Sequence, residues 1–268
     1  MNWNELAGRT LDKVRKTRVQ VHNVTNHVAM NYIAMALLAA GATPVMAHAH
    51  EEVEELASLA GAVALNIGTP EPAWVTAMKL AGKAANRKGI PVVFDPAGAG
   101  TSLYRTSTTR QLLWDLRTAV VRGNLSEISS LSQDDTTIDG LSNQTDATVI
   151  GPHVRNLARQ FDTVLAVTGH TDYVSDGDRL LAIDGGHPLM SRVSGAGSAA
   201  TALIAAFAAV ESDPVVATVG ALSYLKCAGQ RAGELAAAPG SYQIALLDAL
   251  YTLLASDLTS ARISELVR

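Results

Sequence analysis

Short apolar runs alternate with longer segments of helical period along most of the chain. Val19–Val24, Pro44–Met46, Ala62–Ile67, Pro91–Phe94, Ala119–Val121 and Thr163–Thr168 read as strands. Between them, His27–Ala40, Glu51–Ala60, Pro72–Lys88, Ser107–Leu116, Asn124–Leu131 and Thr145–Phe161 read as helices. The punctuation agrees: Gly41 and Gly89 stand just past two helix ends, and Pro72 opens one. Ser132–Asn143 is polar throughout and reads as loop. Tyr173–Leu181 reads as a hairpin around Asp176-Gly177. Three Ala-rich helices, near 197–210, 214–237 and 241–255, close the chain. Regular strand–helix alternation predicts an α/β fold with a mostly parallel central sheet, helices on both faces and antiparallel strands at one edge. No Pro/Gly/Ser-rich linker and no repeat divides the chain, so 1–268 reads as a single domain.

Composition narrows the picture. The 268 residues are 48% hydrophobic, 17% charged and only 4% aromatic, so Ala and small aliphatics must do the packing. A net charge of −4 leaves no electrostatic footprint for nucleic acid. A single cysteine, Cys227, excludes an internal disulfide and any multi-cysteine metal site. No basic-then-apolar leader opens the sequence, and no apolar run reaches the ~18 residues of a membrane span. A cytoplasmic protein without membrane contact is the expectation.

The chemistry gathers at strand ends, where open parallel sheets bind their ligands. Asp95 follows Pro91–Phe94; Arg122-Gly123-Asn124 and Glu127 follow Ala119–Val121; Thr168-Gly169 follows Val164–Val167. If these strands are neighbours, two carboxylates, an arginine and a hydroxyl meet on one edge. That set suits Mg²⁺ and phosphate. Asn124 with Glu127 also reads as a helix capping box, and Asp95-Pro96 as an ordinary turn. Downstream, Ser194-Gly195-Ala196-Gly197-Ser198 runs into an Ala-rich helix. Small residues at a helix N-terminus suit an anion cradle, or a hole for developing negative charge; taken alone, the stretch reads more simply as a Gly-rich turn with a serine cap. Neither a P-loop nor a dinucleotide-binding Gly-x-Gly-x-x-Gly is present. His48-x-His50 beside Glu51 is the best histidine-based metal candidate, but a poor one: solvated loop residues are the simpler reading.

The chain resembles the hydroxyethylthiazole kinase family of the ribokinase-like superfamily over nearly its whole length. The matching segments are Val24-Thr25-Asn26, Leu37–Met46, Asn66-Ile67-Gly68-Thr69, Gly89–Pro96, Arg122-Gly123-Asn124, Val167-Thr168-Gly169, Asp172–Gly177, Gly186–Leu189 and Pro239–Tyr242. The resemblance implies a three-layer ribokinase-like sandwich. It also implies ATP- and Mg²⁺-dependent phosphorylation of a thiazole alcohol in thiamine salvage, and a homotrimer with sites at subunit interfaces. It places Asn26, Met46 and Gly68 at the thiazole, with Gly195 where acceptor and phosphoryl group meet. Arg122 and Thr168 go to ATP, Asp95 and Glu127 to Mg²⁺, and Gly195, Ala196, Gly197 and Ser198 form the catalytic turn. Ser198 departs from the family's usual cysteine and from the aspartate of ribokinases. Two other expectations stay open: a related kinase for another alcohol, such as a hydroxymethylpyrimidine, and a thiazole-binding protein with weakened catalysis.

Overall fold

The computed structural model describes residues 1–132 and 147–266. The loop expected over Ser132–Asn143 and the first residues of the following helix therefore lie almost wholly outside the described residues.

In chain order the elements are α1 (Trp3–Thr17), β1 (Gln20–Val24), α2 (Met30–Ala40), β2 (Thr43–Met46), α3 (Val53–Leu59), β3 (Ala62–Asn66), α4 (Pro72–Lys88), β4 (Val92–Asp95), α5 (Leu103–Asp115) and β5 (Val120–Asn124). There follow α6 (Leu125–Ser129), α7 (Ala147–Phe161), β6 (Val164–Thr168), β7 (Asp172–Ser175), β8 (Leu180–Asp184), α8 (Ala196–Ala208), α9 (Pro214–Leu235), α10 (Pro239–Thr252) and β9 (Arg262–Glu265). The strands form one sheet in the order β2-β1-β3-β4-β5-β6-β7-β8-β9. β1 to β6 are parallel; β7, β8 and β9 continue the sheet antiparallel. The expected alternation and the Asp176-Gly177 hairpin are both present.

Each central strand is buried on both faces, so its side chains split between two cores. Ala62, Ala64, Val93, Val120 and Ala166 face the core beneath α1, α2, α8, α9 and α10. Val63, Leu65, Phe94, Val121 and Leu165 face the core beneath α3, α4, α5 and α7. The first core is built largely of alanine. β3 packs on α8, and Ala62 and Ala64 share this core with Ala199, Ala202 and Ala206. Small residues on both partners let α8 lie close to the sheet, and that closeness brings its N-terminus to the rim.

The structure corrects several sequence expectations. Residues 1–18 carry an unexpected helix, α1, capped by the Asn2 side chain and burying Trp3, Ala7, Leu11 and Val14 against α9. α2 starts at Met30, not His27, because Asn26 turns the chain by accepting from the Ala29 N–H at 2.9 Å. α5 starts at Leu103, four residues early, because Ser102 supplies the cap. The last described element is the edge strand β9, not a helix, and the side chains of Arg262–Glu265 are largely exposed, which suits their mostly polar character.

Candidate active site

Six adjacent parallel strands put their C-terminal ends on one rim. Met46, Asn26, Asn66, Asp95, Asn124 and Thr168 stand there, each at or just beyond a strand end. The neighbour relation that the sequence left conditional is met, since β4, β5 and β6 pair in that order.

Asp95 is the centre of the rim and is 1% exposed. Its Oδ2 accepts from Asn66 Nδ2 at 2.7 Å, Thr201 Oγ1 at 2.8 Å and Arg122 Nη1 at 3.4 Å. Its Oδ1 is buried and has no partner among the described residues. Burial pushes the carboxyl up to about 6, against the pull of Arg122 and of the Thr201 and Asn66 hydrogen bonds, with Glu127 adding repulsion.

Asn66 links this carboxylate to the late turn. Its Nδ2 donates to Asp95 and also to Ser198 Oγ at 3.1 Å, while its Oδ1 accepts from Asn26 Nδ2 and Gly68 N–H, both at 2.8 Å. A carboxylate only accepts, so the amide orientation is fixed by its neighbours. Asn26 Nδ2 also reaches Ser198 Oγ at 3.3 Å. Two N–H groups therefore point at one serine oxygen, and the Ser198 hydroxyl hydrogen is directed away from both amides. Gly68 packs against Asn26 so closely that a Cβ would lie 2.8 Å from Nδ2.

The turn itself is a cradle. Gly195 has φ +86° and opens α8 with no side-chain cap. A Cβ there would sit 3.1 Å from the Ala29 Cβ. Ala196 N–H bonds to the Val193 carbonyl, whereas the N–H groups of Gly197 and Ser198 find no partner among the described residues. These free donors at a helix N-terminus attract anions. Gly197 lies against Arg122, whose Nη1 would be 2.9 Å from a Cβ. Arg122 in turn donates through Nη2 to Thr168 Oγ1. On the far side of Arg122 opens a cavity of about 580 Å³, lined among others by Thr168, Gly169, His187, Gly197 and Lys226. Its size suits a nucleotide-sized ligand.

Glu127 is close enough to raise Asp95, but both its oxygens already serve backbone N–H groups. Oε2 accepts from Asn124 at 2.8 Å, completing the capping box, and Oε1 accepts from Gly98 at 2.8 Å. The capping reading is thus what the structure shows, with lone pairs left for a further contact. Met46 ends edge strand β2, with Asn23 of β1 as its register partner. His48 stacks on Trp74 at 3.8 Å, and His50 Nε2 bonds the Ala73 carbonyl at 2.8 Å, so their rings are already engaged. Among the described residues no group of three His, Cys, Asp or Glu side chains could hold a metal. His27, also against Trp74, is half-exposed beside Glu71.

Sequence reasoning gave no role to Asn66, Thr201 or Arg105. Asn66 was legible as a polar residue ending an apolar strand. Thr201 stands four residues after Gly197 on the same helix face, which its alanine neighbours conceal. Arg105 donates to the carbonyls of Ile67, Gly68 and Ala97 at 2.9–3.1 Å and ties the β3 and β4 end loops together. Nothing local to Arg105 announces that role.

The architecture is a ribokinase-like α/β fold. The fold is shared with a ribokinase-like superfamily protein of Enterococcus faecalis V583 (TM-score 0.59, 14% identity, covering 88% of each chain). It is shared also with the pyridoxal kinase of Staphylococcus aureus in complex with ADP (TM-score 0.65, 13% identity, 92% of this chain and 99% of that one). The chain belongs to the hydroxyethylthiazole kinase family, whose model matches residues 11–256. It is 47% identical to a hydroxyethylthiazole kinase of Moorella thermoacetica over 96% of this chain and 97% of that one. It is 43% identical to the one of Desulfotalea psychrophila, over 94% and 92%. The hydroxyethylthiazole kinase protein of Pyrococcus horikoshii OT3 superimposes with TM-score 0.90 at 41% identity, covering 97% of this chain and 99% of that one.

Proposed function

We propose that this protein transfers the terminal phosphoryl group of ATP to the hydroxyl of 4-methyl-5-(2-hydroxyethyl)thiazole, with Mg²⁺, as a step of thiamine salvage. The observation that carries the reading is the continuous network from Ser198 through Asn66 to Asp95, set beside the free N–H groups of the 195–198 turn. ATP fits the cavity beyond Arg122, with Arg122 and Thr168 at its phosphates. The thiazole fits the side of Asn26, Met46 and Gly68, with Gly195 between the two.

Asp95 fits a magnesium role, because it ends β4 on the rim and one of its buried carboxylate oxygens has no partner among the described residues. Glu127 suits an outer role through water, since both its oxygens already accept backbone N–H groups. When bound, Mg²⁺ neutralises charge on the phosphate oxygens. The chain's own residues do the rest. Arg122 places a guanidinium between Asp95 and the phosphates. Gly197 and Ser198 direct N–H donors at the transferred group, whose transition state is loose and depends mainly on positioning and charge. Ser198, whose oxygen accepts from both amides, turns its O–H to the acceptor oxygen and orients it; a hydroxyl is too weak a base to take the acceptor's proton near neutral pH.

The test is ADP formation by the purified protein with ATP and Mg²⁺, with the thiazole alcohol alone or in a panel including hydroxymethylpyrimidine. Thiazole-dependent turnover is expected; turnover only with another alcohol, or with none, overturns the reading. Two variants probe the serine. Ser198→Ala should lower kcat/KM for the alcohol by about tenfold or less, the worth of one hydrogen bond. Ser198→Asp should raise kcat, because the Asn26 and Asn66 N–H groups would hold a carboxylate able to accept the proton; such help is worth at most ~10²–10⁴-fold. Identical rates in both variants and the parent would remove Ser198 from the chemistry.

The same reading has the protein acting in the cytoplasm as a homotrimer. No helix among the described residues is long and apolar enough to cross a membrane. Exposed Met35 and Leu38 on α2, and exposed Ile244 and Tyr251 on α10, which packs on α2, support a subunit interface near the acceptor side. Light scattering at the mass of three chains is the expected result.

A further inference from the structure

The turn after β6 is held by a buried ion pair to which the reaction chemistry gives no part. Lys226, in α9, donates from Nζ to the carbonyls of Gly169 and His170, both at 2.8 Å, and reaches Asp172 Oδ1 at 3.2 Å. An ammonium has three donors, so Lys226 is saturated and has none left for a phosphate. Asp172 Oδ1 also accepts from the Gly169 N–H at 2.9 Å. The two side chains are 8% and 4% exposed. Burial raises the Asp172 carboxyl above its usual range, and Lys226 opposes that rise.

A buried ion pair is a poor device for stability alone, since apolar replacements of similar volume often do as well. Here an apolar pair would leave two carbonyls and one N–H of a single tight turn without partners. That turn forms one wall of the cavity, through Thr168, Gly169 and His170. Thr168 is also the residue on which Arg122 rests.

We propose that Lys226 and Asp172 are positioning residues for the nucleotide: together they clamp the 169–172 turn to α9 and so fix the cavity wall and the Arg122–Thr168 contact. The proposal rests on the reading that ATP occupies this cavity. The clamp lies on the opposite side of Arg122 from Asn26 and Gly68, so its loss should be felt by one substrate and not the other.

The variants are Lys226→Met, which breaks the pair, and Lys226→Met with Asp172→Asn, which removes both charges and avoids a lone buried carboxylate. ADP affinity is read by titration calorimetry, KM for ATP and for the thiazole alcohol by steady-state kinetics, and folding by circular dichroism. In either variant that folds, ADP affinity should weaken and KM for ATP should rise by roughly tenfold or more, the scale of lost charge-assisted hydrogen bonds. KM for the thiazole should change by less than about twofold. Lys226→Gln, which keeps one donor to the turn, should be intermediate and supplies a milder variant for folding. A folded variant with unchanged ADP affinity overturns the clamp, as does an equal rise in both KM values. Failure of the parent protein to turn over the thiazole overturns the kinase reading instead. ADP binding still tests the clamp in that case, because calorimetry needs no acceptor.

Discussion

Asp95→Asn should cut phosphoryl transfer by roughly a thousandfold while making the protein more stable near neutral pH, the activity loss reflecting several kcal/mol of charge stabilisation. The asparagine oxygen can take the place of Oδ2 and keep the Asn66, Thr201 and Arg122 donors satisfied. What disappears is the negative charge at the orphan Oδ1. The stability half follows from the sign of the pKa shift. Burial pushes Asp95 up to about 6 from an ordinary 3.8. The folded protein thus binds this proton more tightly than the unfolded chain does, and stability falls as pH rises from about 4 to about 6, then levels off. The full cost above pH 6 is roughly 3 kcal/mol. Asp95→Asn should recover part of it at pH 7.5, and the advantage should vanish below pH 4. Denaturant unfolding of both proteins across pH 4–8 checks this; an advantage independent of pH would contradict it. The same titration predicts an acid limb in kcat/KM near pH 6 at limiting magnesium. With the magnesium role proposed for Asp95, excess magnesium should move that limb to lower pH, since proton and cation would compete for one carboxylate.

Gly195→Ala should lose both stability and turnover. At φ +86° a Cβ is strained, and it would also press on Ala29, 3.1 Å away. The strain alone is worth about 1–3 kcal/mol. Relief requires the turn to move away from α2, which would drag the Gly197 and Ser198 donors off the position proposed for the phosphoryl group; a misplacement near 1 Å can cost on the order of 10²-fold. Gly240→Ala, where a Cβ meets nothing within 4 Å, is the matched control and should behave like the parent. Thermal unfolding and kcat measured together decide the matter. Full activity in a destabilised Gly195→Ala would show that the turn's exact placement is unimportant.

Much of this architecture was legible in the residues. Pro72 and Gly89 bound α4 to the residue, and the Asp176-Gly177 hairpin stands where it was expected. The acidic and basic strand ends were found because apolar runs stop abruptly at Asp95, Arg122 and Thr168. Helix starts set by a cap, at Ser102 and Asn26, were displaced by a few residues, since a capping serine or asparagine looks the same wherever the chain is polar. α1 went unseen although Trp3, Ala7, Leu11 and Val14 share one helical face, because its sequence is otherwise strongly polar. Arg105 and Lys226 act on backbone carbonyls of distant loops, and carbonyls leave no trace in a sequence.

Periodicity, punctuation and residue chemistry by themselves determined a mostly parallel α/β sheet, the polar residues at its strand ends and a glycine-rich turn opening a helix late in the chain. They did so because burial on two faces and the geometry of helix ends are local constraints. Only the tertiary structure decided that Ser198, 132 positions after Asn66, shares a hydrogen bond with it, and that Glu127 spends both oxygens on backbone N–H groups. Those facts depend on how closely an alanine-rich helix packs on an alanine-lined strand, a sum of many small contacts that no single residue records.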